Sequence, residues 1–272
     1  MSETLAMEQT LGAQHPAREF WRYRELLYFF AWRDVKVRYR QAVFGAAWAV
    51  IQPLFSMIMF AFLFGRLAHM PSNGIPYPLF CYCALVPWTY FSGVLNQASN
   101  GLTGNASLIT KVYFPRILLP AGTALAGLLD FSIASLLLVG MMFYYHTHVS
   151  WSLLLAPLAV LLMVVVAMGV SMFLAALNVR YRDIKHILPF MVQLWMFATP
   201  IIYSATMIPR RFRPLLALNP CWGMVDGFRA CLLPDQPINF HLMGASILVA
   251  IAVFVGGIYY FQAMEKSFAD II

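Results

Sequence analysis

Hydrophobic residues in this chain fall into long tracts with no acidic or basic side chain among them. Between charges lie 41–65, 67–110, 131–179, 186–209 and 236–264, which are 25, 44, 49, 24 and 29 residues long. Each can supply a helix of about 20 apolar residues, enough to cross a hydrocarbon core roughly 30 Å thick. Polar breaks divide the tracts into six predicted spans, at about 42–65, 77–98, 117–145, 152–178, 187–206 and 241–263. The stretch HMPSNGIPYP turns the chain after the first span, and YYHTHVSW joins the third to the fourth. Residues 99–116, SNGLTGNASLITKVYFPR, are too polar to cross and hold a short helical pattern closed by Pro115. The pattern predicts an all-α integral membrane protein with a spanning domain over 41–265 and tails at 1–17 and 266–272.

Two segments are patterned but do not read as spans. Residues 18–40 are rich in arginine and aromatics; Tyr23, Leu26, Leu27 and Phe30 share one helical face, with Arg22, Arg33 and Lys36 away from it. This predicts an amphipathic helix lying in the membrane interface, with Trp21, Tyr28 and Trp32 at headgroup level, or packed on a soluble partner. Residues 207–239 carry five prolines and two short apolar pieces. Asn219-Pro220 supplies a cap followed by proline at the first helical position, and the following dozen residues are too short to span. They suit either re-entrant helices before the last span or a loop lying on the headgroups.

Composition fixes the class. The chain is 61% hydrophobic and 11% charged, with mean hydropathy +0.73, against roughly a quarter charged in a soluble domain. A disordered tail, a disulfide-stapled miniprotein and a soluble single-core enzyme are excluded. The net charge of +7 belongs to topology rather than to a nucleic-acid partner. With both termini on the cytoplasmic side of the inner membrane, thirteen Lys/Arg fall inside and five outside, the sense of the positive-inside rule. Residues 1–19 hold no apolar core of a secretion signal, so the N-terminus is expected to stay in the cytoplasm. Four arginines dissent: Arg210, Arg211, Arg213 and Arg229, all in the last outer loop.

The chemistry missing from the chain is equally informative. Its four lysines follow Val, Thr, Ile and Glu, never Gly, so no Walker A loop is present. No zinc-protease helix, serine elbow or dinucleotide fingerprint appears. Catalytic residues and a metal site are not expected: His146 and His148 read as a solvated turn, and the four cysteines as packing residues. Asp130 is the only acid within the predicted spans, whereas an ion-coupled pump carries several buried ionisable groups. It either lines a cavity or bonds across helices. The energy source is therefore expected to be a separate ATPase. Short cytoplasmic helices must then transmit its motion, and SLITKVYFPR has the right size and polarity, with 18–40 as second candidate and NVRYRDIKH a less secure one.

Three ordered blocks resemble the membrane-spanning subunits of ABC-2 type polysaccharide exporters. They are KVRYRQAVFGAAWAVIQPLFSMIMFAFLFG, KVYFPRILLPAG and NVRYRDIKHILPFMVQLWMFATPIIYS, the last followed by Asn219-Pro220, and the likeness runs in register over about 36–265. The resemblance implies the ABC-2 exporter fold and a homodimer with two cytoplasmic ABC ATPase subunits. It implies Mg-ATP bound by those subunits, no cofactor in this chain, and a lipid-linked glycan such as O-antigen, capsule or teichoic acid as cargo. It places a coupling helix over Leu108–Arg116, with Leu108, Lys111, Tyr113, Phe114 and Arg116 facing the ATPase, an interface helix over 18–36, and outer gating helices over 207–233.

Physical reasoning fills in the pore. A polymer threading a channel needs many weak, sequence-tolerant contacts, which aromatic faces provide. Phe55, Phe62, Tyr82, Trp88, Tyr90, Trp195, Phe197 and Tyr203 are the candidates, with packing or an interface belt the ordinary role of any one. A lipid-linked phosphate calls for planar cationic donors, and Arg33, Arg38 and Arg40 stand at the inner headgroup level, where anchoring is their alternative role. Arg210, Arg211, Arg213, Asn219, Pro220, Trp222 and Arg229 are the candidates for an outer gate. The same fold exporting a drug or small lipid is the main alternative, and an intramembrane glycosyl- or acyltransferase a lesser one.

Overall fold

The computed structural model describes residues 23–40, 45–112, 114–148, 150–233, 240–265 and 268, and these form helices with no strand among them. Helix α1 (Arg24–Tyr39) docks on the bundle through Leu27 and Phe30, flanked by half-buried Tyr23 and Leu26. These four are the predicted apolar face. Tyr28 and Trp32 are exposed, as expected, and so is Phe29; residues 18–22 lie outside the described residues.

Helix α2 (Trp48–Phe60) opens with a 3₁₀ turn at Gly45–Ala47 and continues as a π-helix over Ala61–Leu67. Helix α3 (Tyr77–Gly104) is the centre of the molecule. Its residues are apolar all round from Leu79 to Val86, and every one of these is buried, as a helix without a polar face must be. It runs six residues past the predicted end of the second span, through the polar stretch 99–104, before the short helix α4 (Ala106–Lys111).

Helix α5 (Leu118–Tyr144) packs on α1 and α3, and helix α6 (Ala156–Arg180) on α3. Helix α7 (Ile184–Ala198) is followed by irregular chain, the short helix α8 (Arg213–Ala217), helix α9 (Pro220–Leu232) and helix α10 (Phe240–Glu265). Helices α6 and α10 touch backbone to backbone. A Cβ on Gly257 would lie 2.2 Å from the Gly169 carbonyl oxygen, and one on Gly169 would lie 2.6 Å from Phe254 Cα. Small residues permit such close approach where lipid supplies no hydrophobic drive for helix association.

The fifth predicted span, 187–206, requires correction. Five described helices are long and apolar enough to cross a membrane, whereas α7 has 15 residues and is about 22 Å long. Its end is set by Pro200, which drives Thr199 into extended backbone (φ −99°, ψ 136°). The chain beyond it is covered by protein: Thr199, Pro200, Ile201, Ile202 and Ser204 are buried. Irregular backbone survives at membrane depth only under such cover. The cover comes in part from α9, whose Cys221–Val225 and Phe228–Cys231 are buried.

Candidate functional site

Charged residues gather where α1 lies along α5, from the end at which α4, the start of α5 and the last turn of α10 meet to Asp130 at the middle of α5. Arg33 on α1 donates to Asp34 Oδ1 from Nε (3.2 Å) and Nη2 (2.9 Å), and to Asn105 Oδ1 from Nη1 at 2.9 Å. The other oxygen of Asp34 accepts from Thr123 on α5 at 3.0 Å. One turn along, Arg38 pairs with Asp130 on α5 and donates to Gln97 on α3, while the Tyr39 hydroxyl also donates to Asp130. The only acid predicted within a span is thus bonded across helices and at the edge of a cavity. Burial lowers the pKa of Arg38, opposed by the Asp34 carboxylate; an arginine keeps its charge through such a shift. Arg40 is exposed at the end of α1.

Beside these residues two cavities meet. One, of about 370 Å³, is lined by Arg38, Tyr39, Gln52, Thr89, Ser92 and Asp130 among others; the second, of about 600 Å³, runs along Arg33, Arg38, Asn100 and Thr123. They share Arg38, Asn96 and Gln97. Thr89, Ser92, Asn96 and Asn100 recur at three- and four-residue spacing and so line one face of α3. The sequence reading missed this polar stripe. Its signal was the regular spacing of small polar residues along a helix otherwise apolar.

The predicted coupling residues form a ledge at the same end. Ile109 of α4 is buried and Leu108 half-buried, while Lys111 and Val112 are exposed; Tyr113 lies outside the described residues. Phe114 is buried with its ring 5.4 Å from that of Phe30. Phe30 in turn fits over Gly122, where a Cβ would come within 2.9 Å of it. The Arg116 backbone N–H donates to Glu265 Oε1 at 3.0 Å, its guanidinium donates to the Glu265 carbonyl oxygen, and it lies over the ring of buried Phe268. The ledge is therefore fastened to α1 on one side and to the end of α10 on the other.

At the opposite end, two of the dissenting arginines hold backbone. Arg229 is 1% exposed, with Nη1 3.2 Å from the Pro200 carbonyl oxygen, Nη2 3.2 Å from that of Ile201, Asp226 at 3.6 Å and the Phe80 ring centroid 3.8 Å away. Arg213 donates to the carbonyl oxygens of Ile208 (3.0 Å) and Thr206 (2.9 Å). Arg210 and Arg211 are exposed, the latter over Phe212. Asn219 caps α9 by accepting from Cys221 N at 3.1 Å, and the same oxygen accepts from Trp195 Nε1 at 2.9 Å. Pro220 and Trp222 are buried.

The aromatic candidates divide. Tyr82, Trp88 and Tyr90 are buried within the protomer, the two tyrosine hydroxyls donating to the carbonyl oxygens of Ala134 (3.2 Å) and Ala124 (3.1 Å) on α5. Phe55 and Phe62 on α2 and Phe197 on α7 are exposed. Trp195 and Tyr203 are half-exposed and line a cavity of about 530 Å³ with Phe212 and Pro220.

Comparison with known proteins gives a consistent result. Residues 25–233 match the family model described as ABC-2 type transporter. The chain is 29% identical over 257 residues to the O-antigen export system permease protein RfbA of Myxococcus xanthus, covering 94% of this chain and 98% of that protein. It is 27% identical to the permease of the same name from Klebsiella pneumoniae, covering 91% and 95%. The polysialic acid transport protein KpsM of Escherichia coli is 20% identical, with 86% and 92% covered.

Proposed function

This chain belongs to the membrane-spanning family of ABC-2 type transporters, and on that premise we propose that it is the membrane subunit of an exporter of a lipid-linked polysaccharide of the O-antigen, capsule or teichoic-acid kind. The observation that carries the reading is the end-to-end likeness to O-antigen export permeases, which spans all but a few per cent of both chains. Work is supplied in trans. Two cytoplasmic ABC ATPases bind Mg-ATP and close, the coupling residues Leu108, Lys111, Tyr113, Phe114 and Arg116 move with them, and a pair of these subunits opens or closes along a shared axis. ATP shifts that equilibrium through its different affinity for the two states of the ATPase pair. The cargo enters at the charged end beside Arg33, Arg38 and Arg40, with both termini on that side in the cytoplasm of a cell with an inner membrane. It leaves past Phe55, Phe62, Phe197, Trp195 and Tyr203 toward the α8–α9 gate.

Reconstitution tests this. The chain and its ATPase in proteoliposomes should carry a lipid-linked glycan across the bilayer only when ATP and both subunits are present. Transport by the chain alone, or transport of small amphipaths with no movement of glycan, refutes it.

A further inference from the structure

We propose that the groove between α1, α3 and α5 is a binding site for the phosphate or pyrophosphate of a lipid head, in which Asp130 occupies the ligand's place on Arg38 until that ligand arrives. This deepens the export reading and rests on it for the source of the ligand. Arg38 borders both cavities and its partner Asp130 lines the smaller one, and their side chains are 23% and 24% exposed. A pair whose work is to hold the fold is closed off by packing, as Arg229 is at 1%; this one borders open space. Its donors, a guanidinium and the Tyr39 hydroxyl, are those a phosphate would use. Carboxylate and phosphate oxygens accept the same planar fork, so one can replace the other.

The neighbours sharpen the assignment. Arg33 lines only the larger cavity and is bonded to Asp34 and Asn105, whereas Arg38, bonded to Asp130 and Gln97, lines both. Around it stand the neutral side chains of Gln52, Thr89, Ser92 and Asn96. With the Ser92 hydroxyl and the Asn96 amide nitrogen donating to helix carbonyl oxygens, the oxygens of Ser92 and Asn96 are left as acceptors for the hydroxyls of a first sugar. Displacing Asp130 would not undock α1, because Asp34 still accepts from Thr123 and Leu27 and Phe30 stay buried. It frees one tie between α1 and α5. The Phe30 ring of α1 lies 5.4 Å from that of Phe114 on the ledge, tilted to it, which connects the groove to the coupling residues.

The test uses the full chain in phosphatidylcholine nanodiscs, titrated with geranylgeranyl pyrophosphate and, in parallel, with phosphatidylglycerol added to the discs. Asp130→Asn removes the competitor and should tighten binding about tenfold, while Arg38→Gln should weaken it by about as much, as loss of a charge-assisted contact does. Arg38→Gln with Asp130→Asn should be as weak as Arg38→Gln alone, and Asp130→Glu should return to the parent value. Binding unchanged or weakened by Asp130→Asn overturns the proposal. Should that variant lose its fold, Arg38→Lys decides: it keeps the pair with Asp130 but lacks the fork, so weaker binding supports the site and unchanged binding refutes it. Preference for the pyrophosphate assigns the site to a lipid-linked carrier, and equal competition by phosphatidylglycerol to a membrane lipid. ATP-driven glycan export with no Asp130 dependence removes this site alone, whereas Asp130-dependent binding without glycan export removes only the export reading.

Discussion

Replacing Arg229 with methionine separates two roles that the sequence could not tell apart, lining an outer gate and holding the fold. Methionine keeps the volume of the stem and deletes the guanidinium. Left behind are the Asp226 carboxylate at 3.6 Å and the Pro200 and Ile201 carbonyl oxygens at 3.2 Å, all inside the protein around the end of α7. Removing one partner of a buried pair costs ~3–5 kcal/mol, and a stranded buried carbonyl about 1–3 kcal/mol. These costs overlap, and Asp226 is 22% exposed at its side chain, so the loss expected is nearer ~3 kcal/mol than their sum. Adding Asp226→Asn should restore about 1–2 kcal/mol by removing the orphaned acid, a coupling that a double-mutant cycle measures. The assay is unfolding of the purified chain in mixed dodecyl maltoside and SDS micelles, followed by far-ultraviolet circular dichroism. If Arg229→Met unfolds within ~0.5 kcal/mol of the parent, the clamp is refuted and the residue's role is in the exit path.

Other sites give sharper contrasts. Gly257→Val would drive a side chain into the Gly169 carbonyl and should destabilise by at least ~3 kcal/mol, while Gly140→Ala, with nothing near its Cβ, should be neutral or slightly stabilising; equal effects in the same unfolding assay would refute the close α6–α10 crossing. Glu265→Ala strips the acceptor from the Arg116 N–H, so the assembled transporter should hydrolyse ATP with less glycan moved per ATP, and Glu265→Gln should recover the ratio; a parental ratio in the alanine variant removes the C-terminal brace. Phe55→Ala and Phe62→Ala, at 64% and 54% exposed, should leave unfolding unchanged and slow export, and parental export rates would take α2 out of the passage.

Much of this was legible in the chain because lipid imposes a simple rule. Long uncharged tracts become helices, since within one segment only a helix satisfies its own backbone hydrogen bonds there, and five described helices cover five of the six expected spans, with ends displaced by up to six residues. The apolar face of α1 followed from period alone. Residues 199–206 misled because their hydrophobicity matched a span while Thr199-Pro200 ended the helix, and hydropathy cannot distinguish apolar chain facing lipid from apolar chain roofed by another element. Arg229 misled the charge count for a related reason: a cation with two backbone carbonyls, an acid and a ring around it answers to packing and not to membrane sidedness. The groove could not be read because it needs Arg38, Gln97 and Asp130, nearly a hundred residues apart, on three helices.

The ties between elements gather at the two ends of the bundle. At the charged end α1 is fastened to α5 by Asp34 and Thr123, and the ledge is fastened to α1 by Phe114 and to α10 by Glu265 and Phe268. At the other end Tyr77 donates to the Ile202 carbonyl oxygen at 2.6 Å, and Arg229 holds the neighbouring carbonyls. Helix α3 lies buried between the two sets. These contacts link the ledge to α1, α5 and α10. Helices α2 and α7 pack on the bundle through Met57, Leu188 and Val192, while Phe55, Ile58, Met59 and Phe62 on one and Phe190, Met191, Leu194 and Phe197 on the other remain exposed. On the proposed reading, those exposed faces are the surfaces a second copy or a passing polymer would meet.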